Sequence, residues 1–206
     1  MLNNYQANLY VVSAPSGGGK TSLVRALIES TKHICISISY TTRPKRAQEI
    51  EGSSYHFLEE SPFQQLISED AFLEYATVFG HYYGTPLAWV QEKLQQGIDV
   101  ILEIDWQGQR QIKEKIPNMI GIFLLPPSWE TLKTRLVNRA QDSLEVIENR
   151  MQQAKQEISH YSAYDYLIIN HDFKQALHDL QVIIQSNRLR KNIQIQSLRS
   201  LLKDLL

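Results

Sequence analysis

The apolar run Leu9-Tyr10-Val11-Val12 leads straight into Ala14-Pro15-Ser16-Gly17-Gly18-Gly19-Lys20-Thr21, and a helix-period segment continues to about Ser30. Nothing else in the chain narrows its possible folds as far. The octapeptide fits the phosphate-loop pattern G-x-x-x-x-G-K-[ST], with alanine in first place. Consecutive glycines let the backbone curl until its N–H groups converge on phosphate oxygens, and the helix that starts there adds its positive end. In such a loop Lys20 reaches the β- and γ-phosphates, and the Thr21 hydroxyl ligates Mg²⁺. Ala14 requires only that its position not need a positive φ.

The rest of the chain extends this unit into an α/β domain. Strand-like runs at 34–40, 100–104, 120–125 and 166–169 alternate with helical segments, as in a parallel sheet covered on both faces. Helix starts are expected at Ser61-Pro62-Phe63-Gln64, at Thr85-Pro86 and at Asp142-Ser143-Leu144-Glu145. Residues 41–84 break the alternation with short strand-like pieces, 55–57 and 72–76, around one helix, and read as an insertion facing substrate.

Composition removes several classes of function. With 206 residues and a formal charge of −1, the chain has no basic field for nucleic acid. No apolar run spans a bilayer, and Met1 to Gln6 lack the charged and apolar regions of a leader, so the expected location is the cytoplasm. The single cysteine, Cys35, reads as a small core hydrophobe. The six histidines lack metal-ligand spacing, and His56, His81 and His171 read as surface or loop residues. Trp89, Trp106 and Trp129 read as core or near-core, and the leucine-rich tail from Leu198 reads as packed on the body or on a second subunit.

A second run carries chemistry. The strand Val100-Ile101-Leu102-Glu103-Ile104 delivers Asp105 at its C-terminal end, where open α/β sheets bind ligands and where a carboxylate holds Mg²⁺ or its waters. Period two places Glu103 and Asp105 on one face. On the acceptor side, Ser37 to Arg46 collects hydroxyls and three cations suited to a phosphate monoester. Glu74 lies in the otherwise apolar Phe72-Leu73-Glu74-Tyr75-Ala76. Guanine offers adjacent N1–H and N2–H₂ donors, whereas adenine has an acceptor at N1, so a buried carboxylate there selects guanine.

Ser13 to Thr21, Thr41-Thr42-Arg43-Pro44, Gly52 with Tyr55, Phe72-Leu73-Glu74, Gly80 with Tyr82-Tyr83-Gly84-Thr85, and Ile104-Asp105-Trp106-Gln107-Gly108 together closely resemble guanylate kinases, from Leu9 to about Arg190. The resemblance implies a P-loop NTPase-type parallel sheet flanked by helices, with an inserted α+β GMP-binding region and a helical lid. It divides one domain into a core (about 1–40, 86–127 and 163–206), a GMP-binding insertion (about 41–85) and a lid (about 128–162). It implies Mg²⁺-dependent phosphoryl transfer from ATP to GMP, with no nucleic-acid or membrane partner and an open oligomeric state. By position, Ser39, Arg43, Arg46, Tyr55 and Tyr83 resemble the GMP phosphate site. Glu74, Gly84, Thr85 and Glu103 resemble its guanine side, although the family's usual residue at Glu103 is aspartate. Arg135, Arg139 and Arg150 resemble lid arginines that, with Lys20 and Arg43, neutralise the transferring phosphate, and Asn170 resembles an adenine-side contact.

Two alternatives remain at this level. A related P-loop kinase for a ribose bisphosphate needs neither Glu74 nor Tyr83. A guanylate-kinase-like protein-binding module does no chemistry and has a degraded ATP loop, whereas Lys20, Thr21 and Asp105 are all present here.

Overall fold

The computed structural model describes residues 7–78, 80–139 and 144–206. The hexapeptide read above for a leader lies outside these residues, as does the start signal Asp142-Ser143. In chain order the elements open with β1 (Leu9–Ser13), α1 (Lys20–Ser30), β2 (Ile34–Ile36), β3 (Tyr40–Thr41), β4 (His56–Phe57), α2 (Glu60–Ser68), β5 (Phe72–Val78) and β6 (His81–Pro86). They continue with α3 (Leu87–Gln95), β7 (Asp99–Glu103), α4 (Trp106–Lys115), β8 (Ile120–Leu125), α5 (Trp129–Arg139) and α6 (Leu144–Ser159). A 3-10 turn, Tyr161–Ala163, precedes β9 (Tyr166–Ile169), α7 (Phe173–Arg188), α8 (Lys191–Ser197) and α9 (Arg199–Leu205).

Five strands form the main sheet in the order β2-β7-β1-β8-β9, and every neighbouring pair is parallel. Central β1 is buried at each position because both faces are covered. Tyr10 and Val12 pack with Leu23 and Leu27 of α1 and with Leu180 and Ile184 of α7. Leu9 and Val11 pack on the other side with Val90 and Leu94 of α3 and Ile112 of α4. A strand sandwiched this way is apolar throughout rather than alternating, which is why its sequence signal is so clean. The fold class expected from sequence is the one observed.

A second sheet, ordered β4-β3-β6-β5, rises from the insertion. It accounts for one correction. The run 34–40 is not one strand: after Ile36 the Ser37 N–H still bonds to Ile101 O at 3.0 Å, and the chain then crosses to the second sheet as β3. Apolar alternation continues through Ser37-Ile38-Ser39, but the hydrogen-bonding partner changes from β7 to β4 and β6. His81 to Pro86, treated above as a motif only, is strand β6, and His56 and His81 are half-buried strand residues rather than loop residues; His171 is exposed.

Two helix starts also differ. Helix α2 begins at Glu60, with Glu59 at its N-cap and no side-chain cap bond, so Ser61 does not cap it. Pro62 falls inside the first turn, where a missing N–H costs nothing because those groups have no helical partner. Pro86 stands at the N-cap of α3, and the Thr85 hydroxyl is used elsewhere. Cys35 and Trp89 are half-buried against the core. Trp129 is 43% exposed, against expectation. The tail leucines are exposed too, Leu201 at 51% and Leu205 at 71%. No helix among the described residues is long and apolar enough to cross a membrane.

Candidate active site

The C-terminal end of β1 opens into the phosphate loop. Gly18 N bonds back to Pro15 O at 2.8 Å, and Gly17 and Gly19 take φ of 86° and 89°. Ala14 is not among the described residues with positive φ, so alanine suits the first position of the pattern. At Gly19 even a Cβ would come within contact distance of the Asn170 amide, so glycine is required there on two counts. Pro15, Gly17 and Gly18 are buried and Ser16 is half-buried, while Lys20 and Thr21 open α1.

Asn170 supports the phosphate loop itself. Its Nδ2 donates to Gly18 O at 2.8 Å, and the side chain is buried. It therefore holds the loop from behind with one of its two amide N–H donors. Arg135 on α5 donates through Nη2 to Asn170 O at 3.0 Å, and its Nη1 is buried with no hydrogen-bond partner. Gly17, Gly19, Ser22, Arg135 and Asn138 line a cavity of about 300 Å³ beside the loop. The unpaired guanidinium nitrogen equips this part of the site for an anion. Arg150 is half-buried on α6, and Arg139 closes α5 with its side chain outside the described residues.

Glu103 and Asp105 fall on different elements. Strand β7 ends at Glu103, and Asp105 is the N-cap of α4. Asp105 Oδ1 accepts from Gln107 N and Gly108 N, each at 3.1 Å, and Oδ2 accepts from Gln107 Nε2 at 3.0 Å. The carboxylate expected at the metal thus also serves as a helix cap. Burial pushes the Glu103 carboxyl up, against the opposing pull of Lys20, Thr21 and Arg25, so it faces the phosphate loop. Its Oε1 is buried with no hydrogen-bond partner.

The second sheet builds the other half of the site. Thr41 Oγ1 donates to Tyr82 O at 2.9 Å and accepts from Arg43 N at 3.1 Å, while Thr42 Oγ1 accepts from Tyr82 N at 3.0 Å. These bonds fix the turn that aims Arg43. The guanidinium lies 5.5 Å from the Tyr55 ring centroid. Tyr55 and Tyr83 meet edge-on at 5.8 Å. Burial, then Tyr83 and Glu103, push the Tyr55 hydroxyl up to about 12, so it remains a donor. Ser39 is half-buried nearby and Arg46 is exposed. Glu49, which the sequence did not single out, pairs with Arg43 Nη2 at 2.5 Å and accepts from Arg46 N at 2.8 Å.

Glu74 is 3% exposed, and Thr85 Oγ1 donates to its Oε1 at 2.5 Å. Burial raises its pKa to about 7, with the Thr85 bond opposing and Asp105 adding to the rise. A Cβ at Gly108 would lie 2.5 Å from Glu74 Oε2, so this glycine in the first turn of α4 makes room for the carboxylate. Gly108→Ala is expected to displace Glu74 and raise KM for the acceptor about tenfold, an effect of about 1.4 kcal/mol, with KM for the donor unchanged; initial-rate kinetics check it. Gly84 serves packing, since a Cβ there would meet Phe72 at 2.8 Å and Phe63 at 3.0 Å.

With this geometry in view, comparison with known proteins is decisive. Residues 6–187 match the family model described as Guanylate kinase. The chain belongs to the guanylate kinase family. A guanylate kinase of Legionella pneumophila (strain Paris) is 50% identical over 100% of this chain and 99% of its own. One from Alkalilimnicola ehrlichii is 52% identical over 96% and 98%. The crystal structure of guanylate kinase from Anaplasma phagocytophilum superposes with a TM-score of 0.77 at 31% identity, covering 93% of this chain and 90% of that one. As a guanylate kinase family member the chain is a nucleoside monophosphate kinase, a transferase, which removes both alternatives weighed above.

Proposed function

We propose that the chain transfers the γ-phosphate of Mg·ATP to GMP, giving ADP and GDP, in the cytosol. The observation that carries this reading is the buried Glu74 carboxylate, held by Thr85 over Gly108 on a sheet whose strands and turns also present Arg43, Tyr55 and Tyr83. A base at the carboxylate and a phosphate at the guanidinium define a purine monophosphate with donors at N1 and N2.

An oxygen of the GMP phosphate attacks Pγ, the bond from Pγ to the β–γ bridging oxygen breaks, and ADP leaves. No protein nucleophile is needed; positioning and charge neutralisation supply the acceleration. Arg43 and the two tyrosines orient the attacking phosphate, and Ser39 and Arg46 border it. The loop from Ala14 to Thr21 cradles the donor's phosphates. Lys20, Arg135, Arg139 and Arg150 meet the charge on the transferring group. Glu103 reaches between the two halves, near both Thr21 and Tyr55.

The donor set fits Mg²⁺. No three His, Cys, Asp or Glu side chains converge among the described residues, and the available groups are hard oxygens. Mg²⁺ favours one or two protein oxygens together with phosphate and water. The Thr21 hydroxyl, the unpartnered Glu103 oxygen and the Asp105 carboxylate are the groups that would hold it. When bound it supplies neutralisation of the β- and γ-phosphates.

Parallel assays of ADP formation from Mg·ATP with GMP, AMP or ribose 1,5-bisphosphate test the reading. Turnover with GMP alone is expected. Turnover only with the ribose bisphosphate would overturn the acceptor, and silence with all three would overturn the reaction.

A further inference from the structure

The mouth of the phosphate loop contains a carboxylate with no part in the chemistry above. Glu157, on α6, accepts a hydrogen bond from Ser16 N at 3.1 Å through Oε2. Ser16 lies inside the cradle, so one of the N–H groups available to a phosphate oxygen is taken by the protein's own anion. Burial pushes the Glu157 carboxyl up and Asp105 adds to the rise, while Ser16 N–H and Lys20 oppose it. Tyr164 adjoins the same carboxylate. An anion between the loop amide and Lys20 occupies the kind of environment a phosphate oxygen would seek.

The contact has a mechanical side. Ala154, one turn before Glu157, packs with Leu132 and Leu136 of α5, and those leucines stand 3.1–3.2 Å from where a Cβ at Gly17 would lie. On the same helix Gln153 Oε1 is buried with no hydrogen-bond partner. Helix α6 thus meets the loop through an apolar contact by way of α5 and a polar contact at Ser16. A triphosphate brought to the loop adds negative charge beside Glu157, which raises the cost of keeping the polar contact.

We propose that Glu157 competes for the phosphate loop: it takes the Ser16 N–H that a donor phosphate would otherwise receive, and a nucleoside triphosphate must displace it, freeing α6 to reposition. This inference rests on the loop being the ATP site. Glu157 is therefore an internal competitor, and its removal strengthens donor binding.

The test is the affinity of Mg²⁺ and a non-hydrolysable ATP analogue, measured by calorimetry without GMP. Glu157→Gln keeps an oxygen able to accept from Ser16 and loses the charge; Glu157→Ala loses both. Each is expected to bind the analogue about threefold to tenfold more tightly than wild type, Ala at least as tightly as Gln. AMP, which lacks β- and γ-phosphates, and GMP are expected to shift less than about twofold. In turnover, KM for ATP falls without a rise in kcat, because the competition is in the ground state. Equal or weaker analogue binding by the Gln variant overturns the proposal, since Glu157 would then be a support of the loaded loop. Should either variant fold poorly by thermal melting, the other serves with the same expectation. A wild-type protein that bound no analogue would instead overturn the ATP reading of the loop.

Discussion

Lys20→Ala is expected to lower kcat/KM about a thousandfold for every acceptor, the upper range for removing a preorganised charged donor from a transition state. Two effects combine. The loop loses the cation that reaches the β- and γ-phosphates, and Glu103 and Glu157 lose the positive charge that offsets their burial. The site would then present two less compensated carboxylates to an incoming polyanion, so KM for ATP rises together with the fall in kcat. Initial rates over a matrix of ATP and GMP concentrations separate the two. The melting temperature should change little, because Lys20 is half-buried at the start of α1 and outside the core. Wild-type turnover by the variant would remove Lys20 from phosphate contact.

Where the signal was local, it was legible. The strand, loop and helix around Lys20 form one contiguous unit whose glycines, cation and hydroxyl are each required by phosphate geometry. The Thr41-Thr42-Arg43-Pro44 turn also carried its signal in its own residues, although its threonines bond across to distant Tyr82. Where a side chain's meaning depends on a partner far along the chain, sequence was insufficient. A strand's apolar run does not name its neighbour, so the crossing from β2 to β3 was hidden. Period two set Glu103 and Asp105 on one face only while the strand continued, and it stops at Glu103. Asn170 binds the loop across 152 residues. Glu157 reads in isolation as a solvated helix carboxylate; the available signal was its place seven residues after Arg150, on one helical face. Glu49 gave none.

The acceptor side yields the second large effect. Glu74→Gln is expected to lower kcat/KM for GMP about a hundredfold and to narrow the preference for GMP over AMP. The amide keeps one oxygen but replaces the other acceptor with a donor, which clashes with a donor on guanine. The pH dependence follows from burial. In the free protein Glu74 titrates at about 7, above the ordinary 4.5, so near neutrality part of the population carries a proton that guanine recognition must expel. KM for GMP should therefore fall as pH rises through about 7 and then level off, whereas in the glutamine variant that step disappears. The GMP phosphate titrates near pH ~6 in both proteins and serves as the internal control. Folding has its own sign. Because the native state holds this proton more tightly than the unfolded chain, Glu74 costs stability increasingly from pH 4.5 to about 7 and by a constant amount above. The glutamine variant should accordingly lose less stability than wild type across that window. Thermal melts of both proteins at stepped pH read this difference, and parallel curves would mean that Glu74 titrates as an ordinary carboxylate, removing the burial on which its choice of guanine rests.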